Sequence, residues 1–183
     1  MSIQIGRRGS AEVLSSSDVQ GIISGQSGWQ VFVDSLHTVG SPQTITAGAT
    51  AILSNNASLV IASQLPLDAS NAFWNASTNK FIPITLDDYY SWIVRFKAKN
   101  SLTNGGYMNV GIDIGGTFNT IFSSSLAFIR GSGVEQSFNI AMSGYSGATF
   151  LANGGLPKLT SVNGITTVYE KEYHIVRHHK GRP

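Results

Sequence analysis

Apolar and polar residues alternate through the second half of the chain, over residues 89–177. In residues 92–98 every second residue is apolar, and two of the three positions between them carry basic residues. Residues 108–114 and 136–142 repeat the alternation. A period of two matches the pleat of a β-strand that buries one of its faces. The pattern therefore predicts a protein built mainly from β-strands.

Glycine pairs and Asn-Gly dipeptides separate the alternating segments, as at Gly105-Gly106, Gly115-Gly116 and Asn163-Gly164. Glycine adopts the positive φ angles of tight turns without steric cost, so we expect these positions to close hairpins between consecutive strands. Strands of this number and spacing predict an antiparallel sandwich or barrel. The predicted strands cover residues 29–33, 43–55 with a break near Gly48, 81–84, 89–99, 108–114, 117–125, 136–142, 145–152, 156–161 and 166–177.

The alternation also predicts the core. Apolar side chains that share one face of a strand point to its buried side, so we expect two such faces to pack against each other. Phe73 and Trp74 are apolar residues within a polar, loop-like segment, where they form either a lid on the fold or a contact with a partner. The two predicted core faces are Trp92, Val94 and Phe96 on one strand, and Phe138, Ile140 and Met142 on the other.

Three segments follow from changes in composition along the chain. Residues 1–28 are rich in Ser and Gly, and their apolar residues are scattered, which predicts an N-terminal arm. This arm is either disordered or becomes ordered on a partner. Residues 29–177 form the β-domain, and residues 178–183 form a basic C-terminal tail.

Composition narrows the range of functions. The net charge of +2 is too small to favour nucleic-acid binding. The chain has no cysteine, so the fold depends on packing or on oligomerisation. We find neither a signal peptide nor an apolar run of about 20 residues that could cross a membrane. We therefore expect synthesis in a cytoplasm and no membrane partner.

No group of residues has the pattern of a catalytic site. Glu170 and Glu172 stand around Lys171, which indicates a mixed-charge, exposed strand face rather than a pair of catalytic acids. His174 and His178 are four residues apart, but on a predicted strand this spacing separates them by roughly 13 Å, unlike the helical pair of a zinc hydrolase, so they indicate a solvated basic tail. We predict that the protein is not an enzyme and uses no cofactor or metal ion.

The order of strands shows a resemblance. A long strand over residues 90–98 is followed by strands at 110–114, 117–122 and 136–142, by the stretch Tyr145-Ser146-Gly147-Ala148-Thr149-Phe150, and by a last strand at 169–175. This order resembles the jelly roll of the tumour-necrosis-factor and complement globular-head class, as used in bacteriophage structural proteins. The resemblance covers residues 29–177. It implies an all-β fold, an antiparallel β-sandwich, that forms a homotrimer about a threefold axis.

Our first functional hypothesis is a capsid decoration (cement) protein. Such a protein would sit on the capsid surface of the virion as a trimer, bind the major capsid protein and stabilise the shell, without binding nucleic acid. Tyr145 and Phe150 are candidates for the trimer interface, because the resemblance implies an apolar sheet rim at the threefold axis. The candidates for capsid binding lie in the arm: Ile3, Ile5, Arg7, Arg8, Val13 and Leu14.

The alternative hypothesis is a trimeric tail-fibre tip or a lectin-like receptor-binding module. It would recognise a host glycan through surface aromatic and amide side chains such as Trp74, Asn71 and Asn75. Fibre tips usually follow a coiled-coil or β-helical shaft, and this sequence contains none. The first hypothesis is therefore favoured.

Overall fold

The computed structural model describes residues 3–7, 10–14, 26–69, 72–116, 119–129 and 131–180, with the backbone alone in residues 3–7, 10–14, 62 and 63. The described residues form fourteen β-strands and one short helix. In chain order they are β1 Ile3–Arg7, β2 Ser10–Leu14, β3 Gly28–Val33, β4 Gln43–Ile45, β5 Thr50–Ile52, β6 Leu59–Gln64, β7 Trp74–Asn75, β8 Lys80–Phe81, β9 Tyr89–Asn100, β10 Tyr107–Asp113, β11 Thr120–Ala127, β12 Gln136–Tyr145, α1 Ala148–Asn153, β13 Leu156–Asn163 and β14 Thr166–His179.

Two antiparallel sheets form the body. The six-stranded sheet has the order β12-β9-β14-β3-β6, and β4 pairs with the beginning of β14. The four-stranded sheet has the order β11-β10-β13-β5. Strands β7 and β8 form a small separate sheet, and so do β1 and β2. The all-β antiparallel sandwich predicted from the sequence is confirmed.

The pairing of the eight principal strands is nested. In chain order these strands are β3, β5, β9, β10, β11, β12, β13 and β14. The first pairs with the eighth and the second with the seventh. The third pairs with the sixth and the fourth with the fifth. An antiparallel ribbon wrapped into two sheets gives this nesting, which is the connectivity of a jelly roll.

The core lies between the two sheets, and the predicted core faces are found there with one correction. Trp92, Val94 and Phe96 are buried and face inward from β9. In β12, Ile140 stands beside Val94 on the same sheet, so the two predicted faces are neighbours rather than opposed layers. The opposing layer comes from Met108, Val110 and Ile112 of β10 and Leu159 of β13, all completely buried.

Two predictions of local structure are wrong. Residues 145–152 were expected to form a strand, but α1 occupies Ala148–Asn153; it begins after Gly147 and ends at Gly154, which has a φ of 67°. The glycine pair at 105–106 and the Asn163-Gly164 turn do not close hairpins, because each connects strands of different sheets. Gly115-Gly116 does close the predicted hairpin, between β10 and β11, with φ angles of 70° and 63°.

The strands near the two ends of the chain can be compared with the predicted arm and tail. Within residues 1–28, β1 and β2 pair as an antiparallel hairpin with Ile3 opposite Leu14 and Arg7 opposite Ser10. Strand β14 continues to His179, two residues beyond the predicted end of the domain. The division into arm, domain and tail stays a prediction.

Candidate assembly surface

The outer face of the six-stranded sheet is the surface of the body that points away from the core. Residues paired across neighbouring strands share a face. One row of the outer face therefore runs from Ala141 in β12 through Ile93 and His174 to Val31 and Ile61 at the other edge. The rows on either side of it follow from the same registers.

Apolar side chains cover the β3–β6 half of this face. Leu59 and Ile61 of β6 are 55% and 43% exposed. They stand opposite Val33 and Val31 of β3. We call this group the assembly surface; its members are Trp29, Val33, Leu59, Ile61 and Val176, and Val31 on the same face is buried. Patches of contiguous exposed apolar residues mark sites of protein–protein interaction in soluble proteins.

The edge next to the assembly surface lacks the usual protection of a free sheet edge. Strand β6 has the sequence Leu-Val-Ile-Ala-Ser-Gln, with no charged residue and no proline. Its first three residues are all exposed. The opposite edge, β12, instead carries exposed polar residues such as Ser137, Asn139 and Ser143. Because exposed apolar edges promote association, the difference marks β6 as the side that favours contact with another chain.

The other half of the outer face carries charged groups that pair with one another. Lys97 Nζ lies 2.9 Å from Glu170 and 3.4 Å from Glu135, and these two carboxylates raise the pKa of Lys97. The Tyr169 hydroxyl donates a hydrogen bond to Glu135, which together with Lys97 lowers the pKa of that carboxyl. Arg95 lies 3.5 Å from Glu172. The outer face is therefore apolar on one side and carries paired charges on the other.

The two residues predicted for the trimer interface differ in their exposure to solvent. Tyr145 ends β12 on the outer face and is 61% exposed, with its ring 4.9 Å from that of Tyr89. Phe150 lies in α1, is 1% exposed and packs 5.1 Å from the Trp92 ring. Phe150 belongs to the core of its own chain. Tyr145 stays a candidate.

Rings of the C-terminal strand extend the surface around Tyr145. His179 stacks on Tyr89 at 5.7 Å and lies 5.8 Å from Tyr145. His178 Nε2 forms a 2.7 Å hydrogen bond with the Ser91 hydroxyl. The histidines expected in a solvated tail are thus ordered against the end of the sheet.

A buried ion pair anchors the loop after β3, and the sequence did not reveal it. Lys171 Nζ lies 3.1 Å from Asp34 Oδ2, and both side chains are completely buried. Burial lowers the pKa of Lys171 to about 8. Burial alone would raise the pKa of Asp34, but hydrogen bonding to His37 and the charge of Lys171 outweigh it, so this pKa lies below its ordinary value.

Glu170 and Glu172 do lie on an exposed, mixed-charge face, with Lys97 and Arg95, but Lys171 between them is buried. Glu170 adopts a φ of 50°, and the pairing of β14 with β9 shifts between Tyr169 and Glu172. Such a bulge adds a residue and reverses the side on which the following side chains lie. It turns Lys171 inward, away from its two glutamate neighbours.

A second buried cation fixes the loop after β6. The Arg177 guanidinium is completely buried and forms two hydrogen bonds with the Asp68 carboxylate, at 2.9 and 3.0 Å. Lys180 Nζ lies 3.0 Å from the same carboxylate. These interactions hold the connection between β6 and β7 against the end of β14.

Of the residues predicted for glycan recognition, the structure describes Trp74 and Asn75, and both side chains contact other parts of their own chain. Trp74 is buried, its Nε1 donating to the Asn55 carbonyl at 3.1 Å and its ring packing on Tyr173. Phe73 is buried beside it, so this pair forms a lid on the core. The Asn75 side chain accepts hydrogen bonds from residues 77 and 78 of its own turn. Asn71 lies outside the described residues.

The capsid-binding candidates lie in and near the N-terminal hairpin. Ile3, Ile5 and Arg7 belong to β1, while Val13 and Leu14 belong to β2. Arg8 lies outside the described residues. Their role in capsid binding stays a prediction.

The described part of the chain contains no group of three or more His, Cys, Asp or Glu side chains that could hold a metal ion. It also contains no helix with the length and hydrophobicity needed to cross a membrane.

Comparisons with known proteins return structural neighbours only. No protein-family model matches the chain, and no curated protein matches it. It is similar to the PRD1 vertex protein P5, with 11% identity, a TM-score of 0.43, and coverage of 96% of this chain and 81% of that one. It is similar to the Eiger TNF from S. frugiperda, with 10% identity, a TM-score of 0.49, and coverage of 86% and 96%.

A viral capsid protein is also among these neighbours. The VP2 subviral particle of infectious bursal disease virus matches with 10% identity and a TM-score of 0.40. The match covers 95% of this chain, which spans 37% of the VP2 chain. The structural neighbours thus include viral vertex and capsid proteins and a TNF.

Proposed function

We propose that this chain is a bacteriophage structural protein, a homotrimeric capsid decoration protein that binds the head shell from outside. The observation that carries the proposal is the assembly surface, an apolar sheet face that continues onto the unprotected edge strand β6. The proposal assigns the protein no catalytic activity and no cofactor. Its location would be the capsid surface of the virion.

Self-association follows from the cost of leaving the assembly surface in water. Leu59 and Ile61 are about half exposed. Complete burial of such a side chain contributes about 1.5–3 kcal/mol, so covering the exposed half of each contributes roughly 1 kcal/mol. Leu36 and Val39, exposed on the loop that Asp34 anchors, add apolar area near the same end of β3. In an assembly about a threefold axis the contacts are heterologous, so the assembly surface of one copy would be covered by a different surface of the next copy.

Attachment to the shell is assigned to the N-terminal arm. Arg7 lies in the β1–β2 hairpin, and Arg8 follows it in the sequence. Their charge suits an acidic partner surface. Three arms on one trimer bind with avidity, so each arm needs only modest affinity.

The mass of the protein in solution tests self-association. Size-exclusion chromatography with light scattering at micromolar concentration should give three times the 19.5 kDa chain mass. The double variant Leu59→Ser/Ile61→Ser should shift the mass toward the monomer, since both side chains lie on the assembly surface. Ile129→Ser is the matched control, because Ile129 is exposed on a loop away from β6.

Two results would contradict the proposal. One is a monomeric mass for the unmodified protein under these conditions. The other is a double variant that keeps the native mass while circular dichroism shows an unchanged fold, which would place the interface elsewhere.

A further inference from the structure

The outer face of the four-stranded sheet carries a groove on the side of the body opposite to the assembly surface. Its volume is about 460 Å³, within the range of roughly 300–1,000 Å³ that small-molecule sites occupy. Side chains from all four strands line it. We call it the outer groove; the residues used below are Thr50, Asn109, Gly111, Ser123, Lys158 and Thr160.

A bulge forms the floor of the outer groove. Val110 pairs with Ser124 and Ile112 with Ile121, so Phe122 and Ser123 both stand opposite Gly111. Phe122 has a φ of 53°, and its ring lies 5.7 Å from that of Trp92 in the core. The large side chain is thereby removed from the outer face.

The centre of this floor has little room for a side chain. A Cβ atom at Gly111 would lie 2.6 Å from Thr120 Cγ2. A side chain at this position would therefore have to displace the Thr120 methyl group. The backbone is left at the bottom of the groove, below the side chains of the neighbouring rows.

Hydroxyl and amide groups form one wall of the groove. Thr50, Thr160, Asn109 and Ser125 form a continuous cross-strand row. The two threonine hydroxyls are 2.7 Å apart, and Ser125 donates to Asn109 Oδ1 at 2.7 Å. This pairing orients the Asn109 amide, and the hydroxyls keep further donor and acceptor capacity. The wall offers both kinds of hydrogen-bonding group within a few ångströms.

The charge at the other side of the groove is neutralised locally. Lys158 Nζ donates a hydrogen bond to Asp113 Oδ2, and Gly115 N–H donates to Asp113 Oδ1 at 2.7 Å. The ammonium and the carboxylate cancel each other's field, so the groove does not select a charged ligand. Its lining also carries no exposed aromatic ring.

We propose that the outer groove binds a neutral polyhydroxylated ligand, namely a sugar residue of a glycan. Hydroxyl-rich ligands present alternating donors and acceptors that match the Thr50–Thr160–Asn109 row. This function goes beyond the decoration of a capsid. Because the groove and the assembly surface lie on opposite faces, self-association through the assembly surface leaves the groove open to solution.

Saturation-transfer NMR with the full-length protein tests the proposal. The neutral probes are methyl glucoside, methyl galactoside, methyl mannoside and N-acetylglucosamine; glucuronate and glucosamine are the charged comparators. We expect saturation transfer to at least one neutral probe and weaker transfer to both charged ones. Thr160→Val keeps the shape of the side chain but removes its hydroxyl, so it should weaken binding about tenfold.

Thr44→Val is the matched control, because Thr44 is an exposed threonine on β4 of the other sheet. It should bind the same probe with unchanged affinity. The proposal is overturned if no neutral probe binds, if a charged comparator binds more tightly than all neutral probes, or if Thr160→Val binds as well as the unmodified protein. The solution mass is measured independently, so failure here leaves the test of self-association intact.

Discussion

Replacing Lys171 with methionine removes one partner of the buried ion pair that holds the loop after β3. In the native chain Lys171 Nζ lies 3.1 Å from Asp34 Oδ2 and 3.0 Å from Gln43 Oε1. Methionine keeps the length of the apolar stem but carries no charge. Lys171→Met therefore leaves the Asp34 carboxylate in the interior with His37 and two backbone N–H groups as its partners.

The size of the loss follows from this environment. Removing one partner of a buried ion pair destabilises a protein by about 3–5 kcal/mol, because the other charge stays desolvated. Three donors continue to hold Asp34, at 2.8 Å from His37 and 3.2 Å from each backbone nitrogen. We therefore expect the lower end, about 3 kcal/mol, for Lys171→Met.

A second substitution separates the charge effect from lost packing. In Asp34→Asn/Lys171→Met the side-chain oxygen still accepts from the backbone N–H groups, but no charge is buried. Neutral replacement of a buried pair costs little, so the double variant should regain about half of the loss or more. Lys99→Met is the control; Lys99 lies over the Tyr169 ring at the surface, and its loss should cost less than about 1 kcal/mol.

Urea denaturation followed by tryptophan fluorescence measures these differences. All variants are compared at one protein concentration, because the stability of an oligomer depends on it. A loss of unfolding free energy below about 1 kcal/mol for Lys171→Met would refute the prediction that breaking the buried ion pair destabilises the fold. So would a double variant that is no more stable than the single one.

Three further predictions follow. Phe96→Ala should lose about 3–5 kcal/mol of unfolding free energy in the same assay, because the Phe96 ring is buried against Phe138; near-unchanged melting would contradict this. The unfolding free energy should rise between pH 8 and 10, since the folded-state pKa of Lys171 is about 8 against 10.5 unfolded, and the rise should vanish in Lys171→Met. Above about pH 10 it should fall, because burial raises the pKa of Tyr90 and this hydroxyl ionises in the unfolded chain while it stays protonated in the fold. Deleting residues 1–26, which spares Gly28 at the start of β3, should give a folded trimer that no longer binds purified expanded capsids in a sedimentation assay; normal occupancy would place attachment on the body.

The strands themselves could be predicted because their signal is local. Residues 108–114 alternate in the sequence, and β10 covers Tyr107–Asp113 with Met108, Val110 and Ile112 buried. A strand that buries one face must place apolar residues at every second position, wherever its partners lie. The prediction of a strand over residues 145–152 was wrong because the alternation there is short. Ala and Leu favour the short helix that Gly147 and Gly154 delimit.

Strand partners could not be predicted from the same residues. Gly105-Gly106 and Gly115-Gly116 look alike in the sequence, yet the second closes a hairpin and the first connects the two sheets. Both pairs provide the flexibility to turn. Which strand pairs with which depends on contacts between distant residues, such as β3 with β14, and those contacts are not encoded in the turn itself.

Of the candidate site, the resemblance pointed to Tyr145, which ends β12 and is 61% exposed. The sequence did not reveal the assembly surface on β3 and β6. A run such as Leu59-Val60-Ile61 has the composition of a buried strand, and only its position at the edge of the sheet exposes it.

The amino-acid sequence by itself determined an all-β protein, the positions of most strands, and the faces of β9 and β12 that form the core, because the periodicity that predicts them is a property of neighbouring residues. Its lack of cysteine also excluded disulfides. The tertiary structure decided the nested strand order, the inward turn of Lys171 at the β14 bulge, the burial of Phe150 and Trp74, and the exposure of the assembly surface and the outer groove. These features depend on which distant strands meet and on where each sheet ends, and local patterning does not determine either.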